Sequence, residues 1–238
     1  MAITDNLVGY WNLDEASGTR NDSTAGANHL TDNNTVTGTT GPGAHNASLF
    51  TNANLEALTH TNNATLNVSG GAFTVAIWVK LTSLIDGQGF ACHGTSASNR
   101  SWQLHQQFGN GQAVFQTYSD GTSGGGVAST TFGALSTGIW YFVVGSCSAA
   151  GLLSISVNAG TADTSARTTA FNTTDTFGCG WREDVSNVNY NLNGALAMFG
   201  LWKGRELADA ERTFLFNGGS GLSFAQLAPS NLMGQACL

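Results

Sequence analysis

The chain has 238 residues and a net charge of −7, and only 10% of its residues are charged, compared with roughly 25% in ordinary soluble domains. The 8 basic residues form no cluster, which argues against a nucleic acid partner. No apolar stretch reaches the roughly 20 residues of a membrane-spanning helix. The first residues show no signal peptide pattern. A hydrophobic content of 41% is enough for one sizeable core.

Short apolar runs alternate along the chain with turns rich in Gly, Asn, Ser and Thr. In Phe73–Leu81 every second residue is apolar and the others are mixed, which predicts a strand with a core-facing side and a partly wet side. Because no long helical pattern separates such runs, they predict an antiparallel sandwich or barrel. In chain order the predicted strands are 8–13, 47–50, 55–58, 73–81, 89–93, 102–106, 113–118, 139–146, 152–158, 176–179 and 196–202.

One short helix is predicted over residues 208–216. Asp209 and Glu211 would occupy its first turn, where the helix dipole favours acidic groups, and Gly218–Gly219 would end it. We expect a single domain over residues 1–222. Residues 223–238 would be an arm or a tail of the same domain, and their apolar residues favour a docked arm.

Five motifs in this order resemble a laminin-G-like jelly roll of the concanavalin A-like lectin and glucanase superfamily. The motifs are residues 7–15 (LVGYWNLDE), 73–81 (FTVAIWVKL), 140–144 (WYFVV), 152–158 (LLSISVN) and a closing set at 200–203, 207–211 and 216–219. The resemblance covers roughly residues 5–222. It implies an all-β fold, a two-sheet antiparallel jelly-roll sandwich of about a dozen strands with one short C-terminal helix.

Candidate catalytic groups are scarce. Glucanases of this superfamily have a Glu-x-Asp-x-x-Glu pattern on one strand, and the chain has no such pattern. Asp14 and Glu15 are adjacent and would point to opposite faces, while Glu183–Asp184 fall in a predicted loop. The five histidines have no nucleophile motif beside them. We therefore expect no enzymatic activity, and a glycoside hydrolase is the weakest alternative.

The resemblance implies one metal, a structural Ca²⁺ held by an acidic loop. Asp22, in the segment 21–28, would be its ligand, although Ala197 stands where a second acidic ligand is often found. The alternative for Asp22 is an Asx turn that organises its own loop. The four cysteines (Cys92, Cys147, Cys179 and Cys237) are far apart and predict buried free thiols.

Carbohydrate recognition needs aromatic rings beside planar polar side chains. Trp181, Arg182 and Tyr190 lie in a long Asn-rich loop, and Gln103 and His105 alternate with apolar residues on one predicted strand. These five are the candidate ligand-binding residues. The alternative for Trp181 and Tyr190 is that they cap the end of the sandwich.

The sequence thus predicts a non-catalytic module that recognises or coats a surface. In one version it is a structural, decorating or adhesion subunit of a larger assembly such as a phage virion, with a viral or capsid protein as its partner. In the other it is a stand-alone lectin-like module that binds a cell-surface glycan. Both versions place it on an extracellular surface or a virion, and a homo-oligomer is an open alternative.

Overall fold

The computed structural model describes residues 1–94, 98–167, 169–182 and 187–227. Two antiparallel sheets pack face to face, and one eight-residue helix follows the last strand. This arrangement confirms the predicted two-sheet sandwich with a short C-terminal helix. Glu183, Asp184 and Cys237 lie outside the described residues.

The first sheet has eight strands, in the order β13-β12-β11-β6-β15-β4-β3, with β1 paired to β15. Its strands are β1 (Leu7–Trp11), β3 (Thr37–Thr40), β4 (Asn46–Phe50), β6 (Phe73–Leu81), β11 (Trp140–Cys147), β12 (Leu152–Val157), β13 (Asp163–Ala166) and β15 (Gly194–Lys203). The long strand β15 is central, because it pairs with β6 on one side and with both β4 and β1 on the other.

The second sheet has seven strands, in the order β10-β9-β8-β7-β14-β5-β2. Its strands are β2 (Thr31–Asn33), β5 (Ala57–His60), β7 (Gly89–His93), β8 (Trp102–Gln106), β9 (Ala113–Tyr118), β10 (Gly124–Ala128) and β14 (Phe177–Cys179). Each strand has one side facing the first sheet and one side facing away from it, as the two-residue period requires.

The main core lies between the sheets and is rich in aromatic rings. The Trp11 ring stacks on Phe199 at a centroid distance of 4.9 Å and lies 5.3 Å from Phe177. The core-facing residues of β6, from Phe73 to Leu81, are fully buried in the same cluster. Such rings bury a large apolar area, so this layer accounts for most of the stability of the fold.

A second apolar cluster covers the outer face of the first sheet. Helix α1 (Asp209–Phe216) and the short helix α2 (Phe224–Leu227) lie against this face. The Phe216 ring stacks on Trp78 with an interplanar angle of 11°, and Trp78 is only 1% exposed. This side of β6 is therefore covered at Trp78, because a helix far along the chain packs on it.

The first residues of the predicted arm pack against the sheet. The Phe224 ring lies 6.0 Å from the Tyr10 ring, and Leu227 is buried in the second apolar cluster. Residues 223–227 are thus in contact with the first sheet.

Four loops meet at one end of the sandwich, which we call the loop end: residues 82–88, 107–112, 129–139 and 187–193. Main-chain hydrogen bonds join the first loop to the last and the second to the third: Thr82 N donates to Asn193 O at 2.9 Å, and Leu135 N donates to Gly111 O at 2.9 Å. These contacts hold the loops in fixed positions relative to the sheets.

Within the described residues, the cysteines behave as the sequence predicts. Cys147 and Cys179 are buried free thiols, and Cys92 is buried as well. Burial raises the pKa of the Cys147 thiol to about 12, with the Glu206 charge acting in the same direction. Thiols in this state are poor nucleophiles, which fits a packing role.

Candidate ligand-binding site

The candidate residues all lie at the outer face of the second sheet. On β8, Trp102 and Leu104 face the core, whereas Gln103 and His105 point away from it. Gln103 pairs with Cys92 of β7, and Trp181 packs against Cys92 and Ala57 on the same face. The fold therefore brings together residues from β8 and from the loop that follows β14.

Gln103 is the centre of a buried polar cluster. Its Oε1 accepts hydrogen bonds from the Tyr118 hydroxyl at 3.1 Å and from Arg182 Nη1 at 3.3 Å. Its side chain is 0% exposed, and its Nε2 has no hydrogen-bond partner in the described part of the chain. His105 is nearly buried, and its Nδ1 lies 2.8 Å from Gln106 O.

Trp181 is fully buried, so its ring offers no face to a ligand in this structure. The ring packs in a small cluster with Ala57 and Cys92, which corresponds to the alternative in which it covers part of the sandwich. Its indole Nε1 is a buried donor without an acceptor among the described residues. Trp181 is therefore a packing residue and not a stacking platform.

Arg182 connects the buried cluster to the surface. Its Nε donates to Gly87 O at 2.5 Å, and its guanidinium carbon lies 4.6 Å from the Tyr190 ring centroid and 5.2 Å from that of Phe108. We call Phe108, Arg182 and Tyr190 the arginine stack. Cation–π contacts of this kind contribute about 0.5–2 kcal/mol each, so the three side chains support one another.

The exposed part of the arginine stack is aromatic. Phe108 is 52% exposed and Tyr190 is half-buried. Gly87 has a φ of +85°, and a Cβ there would come within 2.3 Å of the Phe108 ring. A residue larger than glycine would displace the ring because its Cβ would overlap with it. It would also strain the backbone, because L side chains rarely adopt this φ.

Phe108 was missed as a candidate because the alternation of β8 places it on the apolar side of an extended strand. The strand ends at Gln106, and Phe108 projects from the loop that follows. The Gly109-Asn110-Gly111 sequence is a turn signal and could have identified this aromatic residue as part of a loop.

Asp22 is already saturated with hydrogen bonds. Its Oδ1 accepts from Tyr10 N at 3.0 Å and Thr24 N at 2.9 Å, and its Oδ2 accepts from Asn28 N at 2.9 Å and the Thr24 hydroxyl at 3.1 Å. A carboxylate offers about four lone-pair sites, so none remains for a metal. This geometry does not fit a calcium ligand; it fits the Asx-turn alternative. The described residues contain no group of three or more His, Cys, Asp and Glu that could hold a metal ion.

We accordingly expect the thermal melting midpoint to be the same in millimolar calcium and in excess chelator. A ligand that binds only the folded chain must raise the midpoint by mass action. Differential scanning fluorimetry at a fixed ionic strength measures the difference. An increase of several degrees with calcium but not with magnesium would show that a calcium site exists.

Three of the acidic residues considered above, Glu15, Asp209 and Glu211, form hydrogen bonds or ion pairs. Glu15 Oε1 accepts from Asn21 N at 2.7 Å, and Asp14 is exposed on the surface. Asp209 and Glu211 are in the first turn of α1 as predicted, and they pair with Arg212 and Arg205 respectively. These contacts explain the positions of Glu15, Asp209 and Glu211.

Solved structures similar to this chain include two toxin binding domains and one domain of an arabinanase. The binding domain of Paraclostridial Mosquitocidal Protein 1 superposes with a TM-score of 0.71 and 15% identity, over 91% of this chain and 53% of that one. A second similar structure is domain 4 of AbnA, a GH43 extracellular arabinanase from Geobacillus stearothermophilus, in complex with arabinotriose. It superposes with a TM-score of 0.68 and 15% sequence identity, over 88% of this chain and 97% of that one. The binding domain of Botulinum Neurotoxin DC in complex with SialylT superposes with a TM-score of 0.60 and 15% sequence identity, over 91% of this chain and 52% of that one.

At this level of identity the likeness concerns the fold alone, and the chain spans about half the length of the two toxin binding domains. A search of curated protein sequences finds no match. In the described residues, no helix has the length and apolar character needed to cross a bilayer. The laminin G family profile, described as the concanavalin A-like lectin/glucanases superfamily, matches residues 51–211. Because this match covers more than half of the chain and agrees with the two-sheet architecture, the chain belongs to the concanavalin A-like lectin/glucanases superfamily.

Proposed function

We propose that this chain is a non-catalytic module that binds glycans of a cell surface through the arginine stack. The observation on which the proposal rests is the exposed ring of Phe108 beside Arg182 and Tyr190. The C–H faces of a sugar ring pack on aromatic rings, while its hydroxyl groups need planar donors and acceptors. The arginine stack offers the aromatic rings, and Asn110 and Asn189 in the neighbouring loops offer exposed amides.

The comparisons also support a glycan ligand. Two of the similar structures hold oligosaccharide ligands, arabinotriose in one and SialylT in the other. The glycan of this chain would be recognised mainly by stacking and amide contacts, which suit a neutral sugar.

Replacing Tyr190 with alanine is expected to weaken glycan binding at least tenfold, which corresponds to about 1.4 kcal/mol. The substitution removes one ring and also the support that this ring gives to the guanidinium of Arg182. A glycan array with the wild-type chain identifies the ligand, and isothermal titration calorimetry then compares the variants.

Tyr190→Phe retains the ring and is expected to retain most of the affinity. Leu152→Ala is a matched surface control, because Leu152 is 45% exposed at the opposite end of the sandwich. An array on which the wild-type chain binds no glycan, or equal affinity for wild type and Tyr190→Ala, would refute the proposal.

A second candidate function is a surface-coating or adhesion subunit of a larger assembly such as a phage virion, attached to a viral or capsid protein. The feature that favours it is the set of exposed hydrophobic side chains in the loops of the loop end: Leu84, Phe108, Phe132, Ile139 and Val188. Recovery of the chain in purified virions or cell-surface fractions would support this version, and its absence from both would count against it.

A further inference from the structure

Three Asn-Gly pairs occur in the chain, and each lies in a different structural setting: Asn110–Gly111, Asn193–Gly194 and Asn217–Gly218. In such a pair the main-chain nitrogen of the glycine can attack the side-chain carbonyl carbon of the asparagine, because no Cβ hinders its approach. The attack closes a five-membered ring and requires a backbone that is free to bend at the glycine. The surroundings of each pair therefore determine whether it reacts.

Asn110–Gly111 lies at the loop end, in the loop between β8 and β9. Asn110 is exposed, and its Oδ1 accepts from Gln112 N at 3.1 Å, which is the hydrogen bond of an Asx turn. This turn folds the Asn110 side chain against the peptide that follows it, and the hydrogen bond draws electron density away from Cγ. Gly111 N donates no hydrogen bond in the part of the chain that the structure describes. The attacking nitrogen and the carbon it attacks are thus both accessible.

The leaving group of this reaction is also weakly held. Asn110 Nδ2 donates to Gln107 Oε1 at 3.0 Å and to Gln112 Oε1 at 3.2 Å. Both acceptors belong to side chains at the surface, so water replaces them readily when the amide nitrogen departs.

Asn193–Gly194 has the same sequence but is fixed by the first sheet. Gly194 is the first residue of β15 and is buried between β4 and β6, where it is paired with Phe50 and Leu81. Asn193 Nδ2 donates to Ser83 Oγ at 2.8 Å. Ring closure would pull Gly194 out of its place between two strands, so the fold opposes the reaction here.

Asn217–Gly218 is held by the end of helix α1. Asn217 N donates to Thr213 O, and Asn217 Nδ2 donates to Gly221 O at 2.9 Å. Ring closure would break the side-chain bond and disturb this helix end. We therefore expect this pair to react more slowly than Asn110–Gly111, although Asn217 is exposed as well.

We propose that Asn110 is a site of spontaneous deamidation. Gly111 N loses its proton and forms a bond to Asn110 Cγ, the Cγ–Nδ2 bond breaks, and the amide nitrogen leaves as ammonia with that proton. Water then opens the resulting cyclic imide at one of its two carbonyl groups. The products are aspartate and isoaspartate, and water is the only other reactant. The chain gains one negative charge at this position.

The reaction would alter the proposed glycan site two positions from Phe108. An amide that both donates and accepts hydrogen bonds becomes a carboxylate that only accepts. Such a change is irreversible without repair, so the age of the chain would be recorded in its sugar-contacting loop. This consequence rests on the proposed function, whereas the reaction itself does not.

Peptide mass spectrometry of the full chain, sampled during incubation at mildly alkaline pH, tests the proposal without any glycan. Asn110 is expected to react about tenfold faster than Asn193 in the same sample, which corresponds to about 1.4 kcal/mol in the barrier. In concentrated urea the two pairs are expected to react at similar rates, because only their shared sequence remains. A rate at Asn110 in the folded chain that does not exceed the rates at Asn193 and Asn217 would overturn the proposal.

Two variants assign the modification to this residue. Asn110→Gln is expected to abolish the conversion at this position, because a glutamine side chain would have to close a larger ring. Asn189→Gln is the matched control, since Asn189 lies in a neighbouring loop but precedes Tyr190 rather than a glycine. It is expected to leave the rate at Asn110 unchanged. Ammonia release that continues undiminished in Asn110→Gln would show that the reactive amide lies elsewhere in the chain.

Discussion

Substitution of Asp22 by alanine is expected to lower the free energy of unfolding by about 4 kcal/mol. Three main-chain N–H groups, of Tyr10, Thr24 and Asn28, lose their acceptor in a site where Asp22 is only 5% exposed. Each buried donor left without a partner costs about 1–3 kcal/mol, and water entering the loop offsets part of the loss. Urea denaturation, extrapolated to water, measures the difference.

Two further variants define the cause of this loss. Asp22→Asn keeps one acceptor oxygen and is expected to lose about half as much stability. Asp14→Asn changes the same charge at an exposed position in the same part of the chain and is expected to alter stability by less than about 0.5 kcal/mol. If Asp22→Ala were as stable as Asp14→Asn, the carboxylate would not be what orders the loop.

Acidification from pH 6.5 to pH 4 is expected to destabilise the fold by about 3 kcal/mol through His93 alone. Burial lowers the pKa of His93 from 6.5 to about 4, although the main chain and the charge of Asp175 act in the opposite direction. The ring lies edge-on to Phe177 at 5.7 Å, and its Nε2 lies 3.0 Å from Asn62 Oδ1. In this interval the unfolded chain binds a proton that the folded chain does not accept. Stability is therefore complete above pH 6.5 and falls as the pH approaches 4.

His93→Gln removes the titrating group and is expected to flatten the stability curve in this interval. The difference between the two curves isolates His93, because the acidic residues are the same in both chains. Three of them, Asp120, Asp163 and Glu211, have a lowered pKa, so their contributions are lost at lower pH. Parallel curves for the two chains between pH 6.5 and pH 4 would show that His93 is not responsible.

The strands that form the core were predictable from the sequence. Strands 73–81, 89–93, 102–106 and 113–118 have the predicted bounds, and most others differ by one or two residues. Four strands were missed: β2, β3, β10 and β13. Each of them lies at the edge of a sheet and is short, polar or rich in glycine. Such strands form because a neighbour provides hydrogen bonds, so their own side-chain pattern gives little signal.

The candidate site was predictable only in part. The alternation on β8 correctly placed Gln103 and His105 on the face away from the core. The pattern could not show that Arg182 would reach Gln103 from 79 positions away, since this contact depends on how the loop after β14 packs on β8. Nor could it distinguish the buried Trp181 from the more exposed Tyr190, because both are aromatic residues in one Asn-rich loop.

The position of β15 in the chain has a consequence for biosynthesis. This strand is central in the first sheet and pairs with β1, whose residues leave the ribosome almost two hundred positions earlier. Strands β1, β4 and β6 therefore cannot complete their pairing until β15 has been synthesised. All strands of the second sheet precede β15 in the chain, so the first sheet is the last to close, and the segments that β15 covers expose apolar surface until then.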